Sequence, residues 1–415
     1  MSRKVYAIAT MDTKGMELNY IADCLRAAGV AVTTVDVGTL DPPCITPDVD
    51  RGQVLGGAEM PHSDDRGTAV TAMGAALRRY LVEQWEAGNV SGVLGIGGSG
   101  GTALITEAMR ALPIGLPKLM VSTVASGNTA AYVDCSDITM MYSVVDVAGL
   151  NVVSEKILGN AAHAIAGMVD HQIAQREKRP TLGMTMFGVT TPCVTTVREK
   201  LEADGFDCLV FHATGTGVRA MEQLVASGMI DGVLDITTTE VADEVVGGVF
   251  RAGPQRFDTL LQREIPLVLS LGALDMVNFG SKESVPSKFR ERQLHVHNSQ
   301  VTLMRTTPEE SREIARWIAA KLNRSTAPLT VVIPEGGVSM LDAPDQPFFD
   351  PESDRALFDE LESQLDTSAE RKLVRSPHHV NDPQFAEALI RQRRKSDCDP
   401  PQVVLLRVAQ EFASC

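Results

Sequence analysis

Five glycines lie within seven residues in the segment Gly95-Ile-Gly-Gly-Ser-Gly-Gly101, which follows an apolar run that begins near Ser91. The pattern predicts a buried strand, a tight turn and then a helix from about Ala103 to Leu112. Glycine lets the backbone approach a ligand closely, and the start of a helix offers free N–H groups to an anion. The segment therefore indicates a phosphate or carboxylate site; the alternative is a turn that needs glycine only for its shape.

This glycine loop matches two nucleotide-binding patterns in part. Gly95-x-Gly97-x-x-Gly100 fits the dinucleotide fingerprint, but the next predicted strand, Lys118–Val121, ends in Ser122-Thr123 instead of an acidic residue. Gly95-x-x-x-x-Gly100-Gly101-Thr102 fits a Walker A loop except that Gly101 replaces the lysine. The sequence thus predicts a site of neither standard type, with these binding residues: Gly97, Gly98, Ser99, Gly100, Gly101 and Thr102.

Composition excludes several classes of protein. The 415 residues have room for two or three domains, and the net charge of −15 disfavours a nucleic-acid partner. There is no apolar run of the roughly 20 residues that cross a membrane. The seven cysteines are scattered, without a Cys-x-x-Cys pair, and the histidines show no His-Glu-x-x-His motif. We therefore expect a cytoplasmic protein without a structural metal.

Strands and helices alternate along the chain, and the second half repeats the first. The opening strand Val5–Ala9 and the strand Val30–Val37 have counterparts in Thr181–Phe187 and Phe206–His212, after a charged link that ends at Pro180. Short links between alternating elements predict parallel sheets. We predict an α/β fold of two doubly wound, Rossmann-like domains from an internal duplication, residues 1–178 and 179–415. In such a pair the ligand is expected in a cleft between the domains.

Several loops in fixed order resemble the Tm-1-like ATP-binding family, also called the UPF0261 family. The loops are Gly95–Thr102, Ser122–Asn128, Phe187–Cys193, Phe211–Gly217, His297–Thr306 and Ile333–Val338. The resemblance runs from about Lys4 to Asp382 and implies nucleotide binding and two Rossmann-like subdomains, without an established reaction. Plant members join this module to a TIM-barrel-like domain, which for this chain we expect to be absent or a separate protein. The antiviral role of a plant member is not carried over.

Two further loops of the first half are candidate parts of the binding site. Asp12, Thr13 and Lys14 follow the first strand, where Lys14 could neutralise phosphates and Asp12 could hold a magnesium-bound water or a ribose hydroxyl. An ordinary capped turn is the alternative. In the second loop, Ser126 offers a hydroxyl, Gly127 a flexible backbone and Asn128 an amide. This loop is a candidate mainly because of the family resemblance.

The second half supplies candidate catalytic groups. Thr190 and Thr191 occupy the position of the Asp12 loop and suggest an anion pocket, and Cys193 lies at a helix start that would lower the pKa of its thiol. His212 closes a strand and is a candidate base, although such a histidine is often only hydrogen-bonded. Glu240 and Asp275, each in a polar loop after a strand, are candidate acids or bases.

These residues support one leading expectation and two alternatives. The leading one is a protein that binds ATP, with or without Mg²⁺, or a related phosphorylated ligand, and acts as an enzyme on a small metabolite. The first alternative is a non-catalytic, nucleotide-sensing module that binds a partner such as a separate TIM-barrel protein. The second is a cofactor-free isomerase or lyase that uses Cys193. The long loop Asp41–Arg66 suggests a homodimer.

Overall fold

The computed structural model describes residues 4–58, 66–171 and 179–396. The predicted link before Pro180, part of the loop Asp41–Arg66 and the last 19 residues lie partly or wholly outside these ranges. The chain divides into two compact units, Met1–Arg176 and Glu177–Cys415. Each unit is built on its own parallel sheet, so the predicted α/β fold of two domains is confirmed.

The N-terminal domain contains a five-stranded parallel sheet in the order β2-β1-β3-β4-β5. Its elements are β1 (Lys4–Ala9), α1 (Met11–Ala27), β2 (Ala31–Asp36), α2 (Arg51–Leu55), α3 (Arg66–Glu86), β3 (Gly92–Gly97), α4 (Ser99–Arg110), β4 (Lys118–Ser122), α5 (Ala130–Val133), β5 (Thr139–Tyr142) and α6 (Val152–Asp170).

Side chains of β1 alternate between two cores, because successive residues of a strand point to opposite faces of the sheet. Tyr6 and Ile8 pack with α2, α3 and α4 on one face. Val5 and Ala7 pack with α1 and α6 on the other. The sheet is therefore covered on both faces, which explains why β3 is a continuous buried run instead of an alternating one.

The C-terminal domain contains a six-stranded parallel sheet in the order β14-β13-β9-β8-β6-β7. Its elements are β6 (Thr181–Met186), α7 (Thr191–Ala203), β7 (Asp207–His212), α8 (Gly215–Ala226), β8 (Gly232–Thr237), α9 (Thr239–Ala242), a π-helical turn (Asp243–Gly247), α10 (Asp258–Gln262), β9 (Leu267–Gly272), β10 (Met276–Phe279), β11 (Leu294–Asn298), β12 (Val301–Arg305), α11 (Pro308–Leu322), β13 (Leu329–Pro334), α12 (Pro351–Gln364), β14 (Arg371–Ser376) and α13 (Pro383–Ser396).

The two sheets share one strand order. Numbered by their order along the chain within each parallel sheet, the strands run 2-1-3-4-5 in the first domain and 2-1-3-4-5-6 in the second. This agrees with the repeated pattern in the sequence. The second domain also has a three-stranded antiparallel sheet, β10-β12-β11, which the sequence analysis did not predict. His297, which the sequence analysis placed at the start of a loop, lies on β11 of this sheet.

Candidate functional site: a glycine-lined cleft in the N-terminal domain

The strand order of the N-terminal domain creates a crevice between β1 and β3. The connection from β1 leads to β2 on one side, and the connection from β3 leads to β4 on the other, so the two loops diverge at the carboxyl ends of the strands. A cavity of about 260 Å³ lies there. It is lined by Thr10, Asp12, Thr13, Lys14, Thr39, Leu40, Val70, Gly98, Ser99, Gly100, Gly101 and Leu104. We call this cavity the β1/β3 cleft.

Seven of the residues predicted to bind the ligand line the β1/β3 cleft together. They come from two loops about 85 positions apart in the chain: Asp12, Thr13 and Lys14, and Gly98, Ser99, Gly100 and Gly101. Other predicted residues lie elsewhere. Gly97 and Thr102 are buried beneath the loop, and the stretch from Ser126 to Asn128 is an exposed loop after β4 that does not line the cleft.

Two kinds of glycine explain the glycine loop. A Cβ at Gly97 would come within 3.0 Å of the Gly101 backbone, so Gly97 lets α4 pack closely on β3. A Cβ at Gly100 would meet no atom within 4 Å, and one at Gly98 would meet only Thr123 Oγ1 at 3.8 Å. Internal packing therefore does not require glycine at positions 98 and 100, and open space lies over the backbone there.

Helix α4 begins at the cleft without a side-chain cap. Its N-cap residue is Gly98, which has no side chain to accept from the first-turn N–H groups. Helix α1, which also begins at the cleft, has Thr10 as N-cap with no side-chain cap bond. By contrast, side-chain caps close the starts of α6, α8, α11 and α12, from Asn151, Thr214, Thr307 and Asp350 respectively. Uncapped N–H groups at α4 are available to an anion.

A break at the start of α1 directs the polar residues after β1. Lys14 has non-helical backbone angles (φ −128°, ψ 21°), so Met11–Thr13 form a turn before the regular helix. The Lys14 ammonium donates to the Val147 carbonyl oxygen over 2.6 Å. Asp12 accepts weakly from the Leu40 N–H over 3.3 Å. The cleft therefore has one carboxylate and one ammonium among its lining residues.

Asp36 holds the loops beside the cleft in place, although no sequence motif marked it as part of the site. Its buried Oδ1 accepts from the N–H groups of Met11 and Gly38, over 2.9 and 2.8 Å. The carboxylate thus ties the turn after β1 to the loop after β2. The signal in the sequence was the acidic residue that ends the second strand, before Val37-Gly38. The loop after β2 also supplies the lining residues Thr39 and Leu40, which no motif marked.

At the corresponding position in the C-terminal domain, the predicted threonines form hydrogen bonds within the protein. Thr190 Oγ1 and Thr237 Oγ1 lie 2.7 Å apart, and both residues are fully buried. The exposed Thr191 donates its hydroxyl hydrogen to the Phe187 carbonyl oxygen over 3.2 Å. At the start of α7, Asn381 Oδ1 accepts from the Cys193 N–H over 3.3 Å. The hydroxyl and N–H groups that suggested an anion pocket are therefore engaged within the domain.

Glu240 lies in a buried ion cluster. The guanidinium of Arg256 donates to Glu240 over 2.9 Å, to Glu222 over 2.9 Å and to Asp235 over 2.5 Å. Burial is the main cause that raises the pKa of Glu240 to about 7; Arg256 lowers this pKa, and the nearby Asp235 carboxylate contributes to the rise. Its Oε2 has no hydrogen-bond partner among the described residues. We call these four residues the Arg256 cluster. Within it, the Glu240 carboxyl is buried and is paired with Arg256.

Asp275 is held in a similar way. It accepts a hydrogen bond from Ser339 Oγ over 2.7 Å and lies near Arg305, which pairs with Asp354 over 2.7 Å and with Asp342 over 3.5 Å. Burial raises the pKa of Asp275 to about 7, although Arg305 lowers it. Like Glu240, Asp275 is at most 1% exposed. Both predicted catalytic carboxyls therefore lie inside the domain and contact protein groups.

The expectation of a reactive thiol at Cys193 is wrong. Cys193 packs in the core between the sheet and α7 and α13, and burial raises the pKa of its thiol to about 12. A start of a helix lowers a thiol pKa only where the thiolate is solvated or paired, and here loss of water outweighs the helix dipole.

His212 is exposed to solvent. Its Nδ1 lies 3.0 Å from the Met186 carbonyl oxygen, which can only accept, so Nδ1 carries the proton and Nε2 is an acceptor. The ring stacks on Phe187 with centroids 5.1 Å apart. His212 lies in the C-terminal domain, and the cleft described above is lined by the N-terminal domain.

The described residues contain neither a metal-ligand cluster nor a helix that could span a membrane. Within those ranges, no set of three or more His, Cys, Asp or Glu side chains is placed to hold a metal ion. None of the helices there has the length and apolar character needed to span a membrane.

Known proteins resemble this chain along its length. Residues 3–174 match the N-terminal domain, and residues 179–396 the C-terminal domain, of the uncharacterised protein family UPF0261. A UPF0261 protein of Rhizobium meliloti (strain 1021) is 53% identical over 393 residues, which cover 94% of this chain and 98% of that protein. A UPF0261 protein of Mesorhizobium japonicum is 49% identical over 391 residues, which cover 93% of this chain and 98% of that protein.

A plant protein extends the similarity. The ToMV resistance protein Tm-1(GCR237) of Solanum lycopersicum is 45% identical over 454 residues, which cover 100% of this chain and 60% of the tomato protein. Both family domains and relatives well above 30% identity match nearly the whole sequence. The chain therefore belongs to the UPF0261 family.

Proposed function

We propose that the β1/β3 cleft binds the phosphate groups of a nucleotide such as ATP. The observation that carries this proposal is the start of α4, where an uncapped first turn and an open glycine backbone face a cavity at the point where the strand order reverses. Ligands of open α/β sheets bind at such points, and anions bind at such helix starts.

The lining residues suit the parts of a nucleotide. The N–H groups of Ser99, Gly100 and Gly101 would donate to phosphate oxygens, and the Lys14 ammonium would offset their charge. Asp12 is the carboxylate of the lining, and Mg²⁺ is commonly held by one or two carboxylates together with the phosphates of the ligand. Leu40, Val70 and Leu104 give the cleft an apolar side for the rest of the ligand.

The isomerase or lyase alternative is less favoured, because Cys193 is buried and burial raises the pKa of its thiol to about 12. An enzyme and a nucleotide-sensing module both remain compatible with a phosphate cleft. A metabolite substrate, a separate TIM-barrel partner and a homodimer stay predictions.

The test is thermal unfolding with ATP, with and without Mg²⁺, for the natural chain and two variants. ATP at 100 times its dissociation constant should stabilise the protein by about 2.7 kcal/mol. Gly100→Val places a branched side chain in the open space over the loop. The matched control is Gly167→Val on α6, where a Cβ also meets no atom within 4 Å.

A tenfold loss of affinity in Gly100→Val would reduce the stabilisation at that ATP concentration to about 1.4 kcal/mol. Gly167→Val should keep the full effect, since both changes place valine in a helix at a comparable conformational cost. Equal stabilisation of the two variants by ATP would mean that the nucleotide does not bind in the β1/β3 cleft. Inorganic phosphate as a second probe separates a general anion site from one that also recognises the nucleoside.

A further inference from the structure

The loop between β5 and α6 contains an unusual backbone. We call residues 143–151 the β5–α6 loop. Val144 has φ +63°, a conformation that is strained for a β-branched side chain, and Gly149 has φ +87°. Val144 and Leu150 are also exposed, at 58% and 37% of their surfaces. An exposed apolar side chain on a strained residue is held by contacts made elsewhere in the loop.

Two side chains of α1 hold the β5–α6 loop. The Lys14 ammonium donates to the Val147 carbonyl oxygen over 2.6 Å, and Glu17 accepts from the Gly149 N–H over 2.5 Å. Glu17 is only 2% exposed, so its hydrogen bond is shielded from water. Lys14 and Glu17 are three positions apart in the chain and contact the same loop at Val147 and Gly149. The loop is thus fastened at two points to the helix that begins at the β1/β3 cleft.

Lys14 contacts both the loop and the cleft. It lines the cleft while its ammonium is bonded to Val147. An ammonium has three N–H donors, and Val147 uses one of them. Among the residues that the structure describes, no acceptor is recorded for the other two. One lysine can therefore bond to the loop and to an anion in the cleft at the same time.

We propose that Lys14 couples occupancy of the β1/β3 cleft to the order of the β5–α6 loop. This inference rests on the proposed function, since it needs an anion in the cleft. A bound phosphate fixes the position of the ammonium, and the fixed ammonium holds the Val147 carbonyl more firmly. The loop then presents Val144 and Leu150 in one arrangement when the cleft is filled and in several when it is empty.

The coupling must be reciprocal. If the anion stabilises the ordered loop, then a change that loosens the loop must weaken binding of the anion, by at most the factor by which the anion favours the ordered loop. Glu17 provides this test, because it holds the loop at Gly149 but does not line the cleft. Substitution at Glu17 should therefore lower the affinity for ATP without removing any group that touches it.

The experiment measures amide hydrogen exchange of the β5–α6 loop, with and without ATP, in the full chain. The variants are Lys14→Met, which removes the coupling group, and Glu17→Gln, which weakens the second contact. Lys156→Met is the matched control, because it removes an exposed lysine from α6 of the same domain. Thermal unfolding with ATP is recorded for each protein, so that binding is known independently of the exchange.

In the natural chain, saturating ATP should slow exchange of the loop about three- to tenfold, as expected when local opening becomes harder. Lys14→Met should exchange faster without ligand, and ATP at a concentration raised to restore saturation should not slow it. Glu17→Gln should raise the dissociation constant of ATP about threefold. Lys156→Met should behave as the natural chain does.

The possible failures are distinguishable. If ATP raises the unfolding temperature but leaves exchange of the loop unchanged, the coupling is refuted and the proposed function stands. An unchanged ATP affinity in a folded Glu17→Gln variant also refutes the coupling. If neither ATP nor phosphate shifts the unfolding temperature of the natural chain, the proposed function and this inference both fail.

Discussion

The stability of the C-terminal domain should decrease as the pH rises from mildly acidic values through neutrality, and Glu240→Gln should remove part of that decrease. In the Arg256 cluster, three buried carboxyls surround one guanidinium, which leaves an excess of two negative charges if all of them ionise. Burial is the main reason that the pKa of Glu240 rises to about 7. Glu240 is therefore protonated in the folded domain at mildly acidic pH.

The sign follows from the proton balance. In the unfolded chain Glu240 ionises at its ordinary pKa of about 4.5, so between that value and about 7 the folded state binds more protons. The stabilisation is complete at low pH and is lost as the pH rises through about 7. For one carboxyl the loss between about pH 6 and about pH 8.5 is on the order of 1 kcal/mol. Asp243 and Asp275, whose pKa values burial also raises to about 7, add to the total.

The assay is urea unfolding near pH 6, 7 and 8.5, followed by the fluorescence of Trp317. This tryptophan lies on α11 with its ring centroid 6.1 Å from that of Phe257, beside the Arg256 cluster. Trp85 in the N-terminal domain is the other tryptophan of the chain, so a Trp85→Phe background restricts the signal to the C-terminal domain. Glu309→Gln, on the exposed face of α11, is the control for the loss of a carboxylate.

The glutamine side chain in Glu240→Gln is neutral at every pH. The stability of this variant should therefore decrease less than that of its parent, by on the order of 1 kcal/mol over this range. Glu309→Gln should follow the parent closely. The reasoning is refuted if the parent gains stability from about pH 6 to about pH 8.5, or if both variants have the same slope as the parent.

Two further predictions test the burial of charged and reactive groups in the same domain. Arg256→Leu should destabilise the domain by about 3 to 5 kcal/mol at neutral pH, because it leaves three buried carboxyls without their cation. The control is Arg324→Leu, whose pair with Asp258 is at the surface. Urea unfolding should show a destabilisation of less than about 1 kcal/mol for this control. In the folded protein, iodoacetamide should label the exposed Cys44 before the buried Cys193. Peptide mapping measures the two labelling rates, and equal rates for Cys44 and Cys193 would contradict the placement of Cys193 in the core.

The glycine loop illustrates what the sequence could predict about the site. Gly98, Ser99, Gly100 and Gly101 were found because a strand, a turn and a helix start are encoded locally. Thr102 belongs to the same motif, yet its hydroxyl lies 2.6 Å from Ser122 Oγ inside the domain. Which side of a helix faces a ligand depends on how the helix packs, and the motif alone does not record that.

The predicted catalytic carboxyls illustrate a limit of the same kind. Glu240 and Asp275 follow strands, where ligands of α/β proteins are usually bound. Their environment is set by Arg256 and Arg305, which lie 16 and 30 positions further along the chain and which no motif connected to them. A carboxyl after a strand has the same sequence signature whether it faces a ligand or a buried guanidinium.

The sequence by itself determined the alternation of strands and helices, the repeat of that alternation in two domains, and the flexible backbone between β3 and α4. These are properties of neighbouring residues, since hydrophobic spacing and glycine act over one or two turns of chain. Only the tertiary structure decided that β1 lies beside β3, so that Lys14 and Gly100 line one cleft and Lys14 reaches Val147. Pairing of parallel strands joins segments far apart in the chain, and the free energy that selects the order comes from burying both faces of the whole sheet.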